Sequence, residues 1–368
     1  MSIDKDGKEL FHQQLHTILL DQIKNGTLVP GQKIPSERDL SEIYGVSRTT
    51  AKTAVLRLLN EGLVVRATGK GTFIRKNLGS GKPLTQQTGN IAFVLNKRKD
   101  YRVPLVEDAV YRNLSQTIQT IISSKDMHMM IATIDDQDVG EVNSYEALVE
   151  KVDGVIIAEP RSLVLAEYAQ QQLKPVIVVA PSLDHLPFES VDIDNEQAGF
   201  QATRYLIELG HRKIAFIKGP ENILATQFRF SGFRRAIETA SLSIEDELIT
   251  SGVGWTIEDG EAAFELLNKR ENEYTAIVCA NDLLAIGVLR SAKVHGVLVP
   301  DDLSVIGCDN IELSNHSDPP LTTMDTHIRS IGNVAAKRLM ELISSGESLQ
   351  HKTLLPATTI ERESCRKI

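Results

Sequence analysis

Two apolar periods divide the chain. Within Lys33–Ile74, apolar residues recur three and four positions apart, as one face of a helix requires. Val46, Ala51, Ala54, Val55, Leu58 and Leu59 fall on one such face and are expected to pack inward. From Asn90 onward, short runs that are apolar throughout alternate with longer stretches of helical period. The predicted strands are Ile91–Leu95, Met127–Thr133, Gly154–Ala158, Val176–Val179, Val191–Ile193, Lys213–Ile217, Ala276–Cys279 and Ser304–Gly307. The predicted helices between them are Val106–Ser123, Ser144–Glu150, Val164–Gln172, Glu196–Leu209, Arg229–Ala240, Ile257–Lys269 and Leu283–His295. Apolar strands alternating with helices imply parallel sheets covered on both faces. Breaks at Ala180–Pro187 and Leu321–Asp325 suggest that the chain crosses between two lobes there.

The first segment carries its own punctuation. Ser36 suits a helix N-cap, and Glu37 and Asp39 suit the positive end of the helix dipole. Gly45 ends that helix at Tyr44. Ser47 opens a second helix, through Glu61, that Gly62 ends. Two helices joined by a glycine turn make a helix-turn-helix, whose second helix enters the DNA major groove by its N-terminus. Leu63–Arg66 and Thr72–Ile74 read as two short strands around a cationic tip. The residues expected to face DNA are Arg38, Ser47, Arg48, Thr49, Thr50 and Lys52, with Thr68, Gly69 and Lys70 at the tip.

Charge agrees with this division. The 368 residues carry a net charge of −9. Through Ser80 there are 12 Lys and Arg against 8 Asp and Glu, net +4; the remainder has 28 against 41, net −13. A basic head on an acidic body puts the nucleic-acid footprint at the N-terminus. Arg75–Gly89 is rich in Gly, Lys, Gln and Pro, lacks an apolar period and reads as a linker. The expected organisation is a DNA-binding domain at 1–76, a flexible linker at 77–89, and a two-lobed effector and dimerisation domain at 90–368.

Family resemblance sharpens both halves. Pro35-Ser36-Glu37-Arg38, Gly45-Val46-Ser47-Arg48, Glu61-Gly62-Leu63 and Gly69-Lys70-Gly71-Thr72-Phe73 resemble the winged helix-turn-helix of the GntR family of bacterial regulators. Val152–Pro160, Val191–Pro220, Arg229–Ile237, Ala276–Asn310 and Pro319–Asp325 resemble the lac-repressor-type effector domain, which is similar to periplasmic sugar-binding proteins. The pairing resembles the arabinose-operon repressors of Gram-positive bacteria. It implies a winged head plus an α/β two-lobed, periplasmic-binding-protein-like domain, a homodimer, double-stranded operator DNA and a monosaccharide effector, with L-arabinose in the lead. A corepressor mechanism, a phosphosugar or nucleoside effector, and a sugar-transport protein are the alternatives.

Ligands in open parallel sheets sit beyond the carboxyl ends of strands. A sugar presents vicinal hydroxyls that donate and accept, and faces made of C–H groups. A site for it needs an acceptor carboxylate, a forked donor, an amide and an aromatic plate. Asp309, Arg229, Asn281 and Trp255 supply one of each, and by the resemblance they match effector-contacting positions. Arg229 is expected to open its helix. Glu159, Arg161 and the loop carrying Tyr101 and Arg102 are further candidates. Asn281 and Asp282 also fit a helix cap, and Asp192 and Asp194 fit turn or interlobe contacts that need no ligand. Ile328 and Thr326 stand where a stacking aromatic and an amide often occur in the lac-repressor type. The hinge helix of that type is not expected in a linker containing Gly79, Gly81 and Pro83.

Other classes find little support. No phosphate-binding loop, nucleophile elbow or zinc-ligand spacing occurs, so neither an enzyme nor a cofactor is expected. Cys279, Cys308 and Cys365 are odd in number and lack paired spacing, and Cys279 and Cys308, in apolar strand-like runs, read as reduced core residues. The polar start and the absence of a long apolar run predict a cytoplasmic protein with no membrane partner.

Overall fold

The computed structural model describes residues 11–60, 63–67, 71–74, 88–97, 108–135, 142–172, 174–180, 186–251, 254–269, 273–345 and 351–368. The chain divides into two compact units: Met1–Thr88 with Gln170–Leu173, and Gly89–Ala169 with Lys174–Ile368.

In the first unit, helices Phe11–Lys24 (α1), Glu37–Tyr44 (α2) and Arg48–Asn60 (α3) precede antiparallel strands Val64–Ala67 (β1) and Gly71–Ile74 (β2). Ser36 caps α2 in a reciprocal box with Asp39, and Gly45 closes α2 in the left-handed conformation at φ 65°. The Ser47 hydroxyl accepts the Thr50 N–H at 3.0 Å, opening α3. Leu15, Leu19, Leu40, Ala51, Ala54, Val55, Leu58, Val64 and Ile74 form one core. The expected inward face of α3 is therefore the buried one, with Val46 and Leu59 half-buried at its edge. Lys33 forms a single antiparallel bridge to Phe73 beside the wing.

The second unit begins with Asn90–Asn96 (β3), Ala109–Ser123 (α4), His128–Ile134 (β4), Val142–Val149 (α5), Gly154–Ala158 (β5), Val164–Gln171 (α6), Val176–Val179 (β6) and Glu189–Ile193 (β7). Asn195–Glu208 (α7), Ile214–Lys218 (β8), Leu224–Thr239 (α8), Ile249–Ser251 (β9), Ile257–Asn268 (α9), Ala276–Cys279 (β10), Asp282–Val294 (α10), Ser304–Cys308 (β11), Glu312–Asn315 (α11) and Thr322–Asp325 (β12) follow. Ile328–Ser345 (α12), Lys352–Leu355 (β13) and Thr358–Ile360 (β14) complete the chain.

The strands form two six-stranded sheets, ordered β13-β7-β6-β5-β3-β4 in the first lobe and β14-β12-β11-β10-β8-β9 in the second. All pairs in them are parallel except β12 with β14. In the first lobe, alternate strand residues serve opposite faces. Ile91, Phe93 and Leu95 pack with α4 and α12, whereas Ala92 and Val94 pack with Tyr145, Leu165 and Ala166 of α5 and α6.

Two expected crossover positions move. The chain leaves the first lobe after β7, at Asp194, which caps α7; β6 and β7, on either side of the expected break, are neighbours in the first-lobe sheet. It returns after β12, so Leu321–Asp325 is largely strand rather than a break. Short strands at sheet edges lack the apolar run that made the others legible, which explains why β9, β13 and β14 went unread. Among the described residues no helix is long and apolar enough to cross a membrane.

Candidate functional site

Two helix pairs in the second lobe pack almost backbone to backbone, and one of them positions Arg229. A Cβ on Gly199 of α7 would lie 1.9 Å from the Arg229 carbonyl, and one on Gly232 of α8 would lie 1.9 Å from the Glu196 carbonyl. Only glycine at both crossing points lets α8 approach this closely. Arg229 lies inside α8, which starts at Leu224, and so does not open the helix as expected. The buried side of its first turns is marked by Thr226 and Arg229 rather than by apolar residues, so no apolar period announces the helix start.

Buried Arg229 uses its fork fully. Its Nε donates to Asn195 Oδ1 at 2.9 Å, and a terminal nitrogen donates to Asp309 Oδ1 at 2.9 Å. The other terminal nitrogen donates to the Ala280 carbonyl at 2.5 Å. Burial opposes the charge on Arg229, and the Asp309 carboxylate overrides that, so the guanidinium stays charged. Burial pushes the Asp309 carboxyl up to about 7, with Arg229 pulling the other way.

These groups open onto a cleft between the lobes with about 840 Å³ of empty space, part of it open to solvent. Asp309, Arg229, Asn281, Trp255 and Glu159 all line it, so five of the sequence-derived effector residues converge there. Tyr101 and Arg102 lie outside the described residues, and Arg161 is not among the lining residues. Asn281 does both jobs open to it: its Oδ1 caps α10 by accepting the Leu284 N–H at 2.9 Å, while it also faces the cleft. Asp282 points away, accepting from Ile311 N–H, Ser314 Oγ and Thr323 Oγ1.

Trp255 sits just before Thr256, whose capping box with Asp259 starts α9. Its ring lies on Gly219, directly after β8. Its Nε1–H is buried with no hydrogen-bond partner among the described residues, leaving a donor for a ligand. Tyr111 donates its hydroxyl to Glu159, and Asn96 Nδ2 donates to the Glu159 carbonyl at 3.1 Å.

Sequence reasoning missed Asp108, Tyr111, Asp192, Asn195, Phe228 and Ile331 as lining residues. Asp192 was assigned to a turn or interlobe contact, but it faces the cleft from β7. A carboxylate between two core residues, Val191 and Ile193, was the available signal. Ile328 also lines the cleft, so an aliphatic side chain stands on that side. Backbone strain marks the same region: Glu159, Ala180 and Asp309 follow strands at φ 49°, 48° and 123°. Such residues cost roughly 1–3 kcal/mol each and gather where side chains must be aimed.

The head presents a second surface. Arg48, Thr49 and Lys52 are exposed at the start of α3. Arg38 is exposed on α2 and pairs with Glu42 at 3.1 Å. Ser47 and Thr50 share their hydroxyls at 2.8 Å, so both serve the α3 cap. Arg66 of β1 pairs with Glu37, tying the wing to α2. Thr68, Gly69, Lys70 and the linker at 75–87 lie outside the described residues. Among the described residues no cluster of His, Cys, Asp or Glu is arranged to hold a metal.

A helix-turn-helix head joined to a two-lobed body with a polar interlobe cleft is the architecture of a ligand-responsive transcription regulator. Comparison with known proteins agrees. Residues 11–74 match the bacterial regulatory proteins, gntR family, and residues 203–365 match the periplasmic binding protein-like domain. The HTH-type transcriptional regulator DegA of Bacillus subtilis is 31% identical over 268 residues, 71% of this chain and 78% of that protein. The arabinose metabolism transcriptional repressor of Geobacillus stearothermophilus is 29% identical over 342 residues, 90% of each chain. The fold matches that of the transcriptional regulator CelR in its cellobiose complex, with TM-score 0.66 and 23% identity over 90% of this chain and all of that one. This chain belongs to the family of helix-turn-helix transcriptional regulators with a lac-repressor-type effector domain, and its head is of the GntR family.

Proposed function

We propose that the protein is a repressor that holds operator DNA through a dimer of its heads and releases it when a free monosaccharide, with L-arabinose in the lead, enters the interlobe cleft. The observation that carries the effector half is the lining itself. Carboxyl groups from Asp108, Glu159, Asp192 and Asp309 face the cleft, with the guanidinium of Arg229 already bound to Asp309. Acceptors in this number suit a ligand rich in hydroxyl donors and oppose a phosphate. The apolar side chains of Phe228, Ile328 and the Trp255 ring suit the C–H faces of a sugar. The arabinose repressor is similar to this chain over head and body together, which puts L-arabinose first among sugars.

Arg48 and Arg38 are assigned to base edges, Lys52 to phosphate, and the tip at Thr68, Gly69 and Lys70 to the flanking groove. Two heads would read a pseudo-palindrome, one half-site each. A sugar bridging the lobes favours their closed arrangement and shifts the population away from the DNA-competent dimer. Calorimetry on the full-length protein with free pentoses, hexoses and their phosphates tests the effector. Binding of a free monosaccharide that also lowers operator affinity is the expected result. Binding confined to the phosphates would defeat the reading.

A further inference from the structure

Asp192 is the cleft group for which the fold gives least account. It lies in β7 with Leu354 of β13 beside it, and only 8% of its surface is exposed. Its neighbours Val191 and Ile193 are core residues. Among the described residues its one hydrogen bond is to backbone: Oδ1 accepts the Ile193 N–H at 2.7 Å. No described Lys or Arg stands within ion-pair distance. The charged groups facing it from packed elements are Lys352 of β13 and Arg229 of α8, which favour its ionised form, and Glu159 after β5, which opposes it.

An ionised carboxylate offers about four acceptor positions, and one is occupied here. Burying such a group half-satisfied is costly, and an aliphatic residue would fit the strand without that cost. The cleft is the remaining direction from which donors can come, because Asp192 lines it.

Resting on the reading of the cleft as a sugar site, we propose that Asp192 is an effector-contacting residue of the first lobe, its second carboxylate oxygen accepting a ligand hydroxyl. The ligand is then held between carboxylates of opposite lobes, Asp192 from β7 and Asp309 after β11. Each lobe contributes a charged acceptor, and the cost left in the empty cleft is offset when the ligand binds.

The sign with pH follows. Burial raises Asp192 to about 7 in the empty cleft, above the usual carboxylate value. A group raised on folding contributes stability that is full below its unfolded value and is lost as pH rises through the folded value. The ligand-free protein is therefore penalised by Asp192 at pH 8 more than at pH 6. Hydroxyl donors favour the ionised form, so binding near pH 7 releases protons.

The test uses the full-length protein, Asp192→Asn and, as a smaller alternative, Asp192→Ser. Thermal melts without ligand are run at pH 6, 7 and 8, and calorimetry is run with L-arabinose, D-ribose, D-glucose and D-galactose in buffers of different ionisation enthalpy. Asp192→Asn should melt no lower than wild type at pH 8, with its advantage shrinking at pH 6, while binding the sugar about tenfold to a hundredfold more weakly. Wild-type binding heats at pH 7 should depend on the buffer, and because Asp309 is also raised to about 7 in this cleft, the share owed to Asp192 is the part that Asp192→Asn loses. Unchanged affinity in both variants, loss of stability together with loss of affinity in both, or buffer-independent wild-type heats would overturn the assignment while leaving the sugar reading intact. Failure of the wild type to bind any free monosaccharide would overturn both.

Discussion

Replacing Gly219 with alanine should dislodge the Trp255 ring that lines the cleft. A Cβ on Gly219 would lie 2.4 Å from two atoms of the Trp255 ring and 2.7 Å from a third. Ordinary contact begins near 3.4 Å, so the ring must retreat by about 1 Å. The capping box holds Trp255 at the start of α9, which limits any shared adjustment of the backbone. Overpacking of this kind costs about 1–3 kcal/mol where nothing can move. Trp255 is only half-buried, so its ring can swing toward the cleft, and the stability loss should fall near the lower figure. The displaced ring then occupies space meant for the sugar, and affinity should fall roughly tenfold or more, about 1.4 kcal/mol. Because Trp255 is the only tryptophan in the chain, intrinsic fluorescence reports on this site without a label. The expected result is a shifted emission maximum in the ligand-free variant and a weakened sugar titration, with operator binding retained but poorly released. Wild-type emission and wild-type sugar affinity together would refute the placement of the ring on Gly219.

Gly199→Ala drives a Cβ into the Arg229 carbonyl at 1.9 Å, backbone against backbone, so it should cost more than 3 kcal/mol by separating α7 from α8; a thermal melt within a degree of wild type would show that the helices can part freely. Arg48→Ala should cost about 1–3 kcal/mol of preference for operator over scrambled DNA, measured by competition at fixed salt, while Lys52→Ala weakens both equally. Lys70→Glu should weaken DNA binding and flatten its salt dependence while leaving sugar affinity untouched; identical salt titrations would remove the tip from the interface.

The readings from sequence differ in how local their causes are. The cap at Ser36, the left-handed turn at Gly45 and the inward face of α3 depend on residues a few positions apart, so the head was legible in outline. The central strands β5, β6 and β10 were read to the residue because each is buried on both faces and apolar throughout. The edge strands β9 and β14, one face of each less buried, carry no such signature. Asn281, Asp309 and Glu159 were found because a ligand site lies beyond strand ends, a rule that needs only the strands.

The sequence by itself determined the division into a basic head and an acidic α/β body, the two periods that build them, and the polar residues placed after each strand. Only the tertiary structure decided where the two expected lobes exchange the chain, β7 passing to α7 and β12 to α12. Only there does Arg229, deep inside α8, meet Asp309 from 80 residues away, and Trp255 come to rest on Gly219. The physical reason is range. Propensity, capping and periodicity act between neighbours, whereas a cleft is made by contacts between segments far apart in the chain, where burial sets the charge state of Asp192 and Asp309.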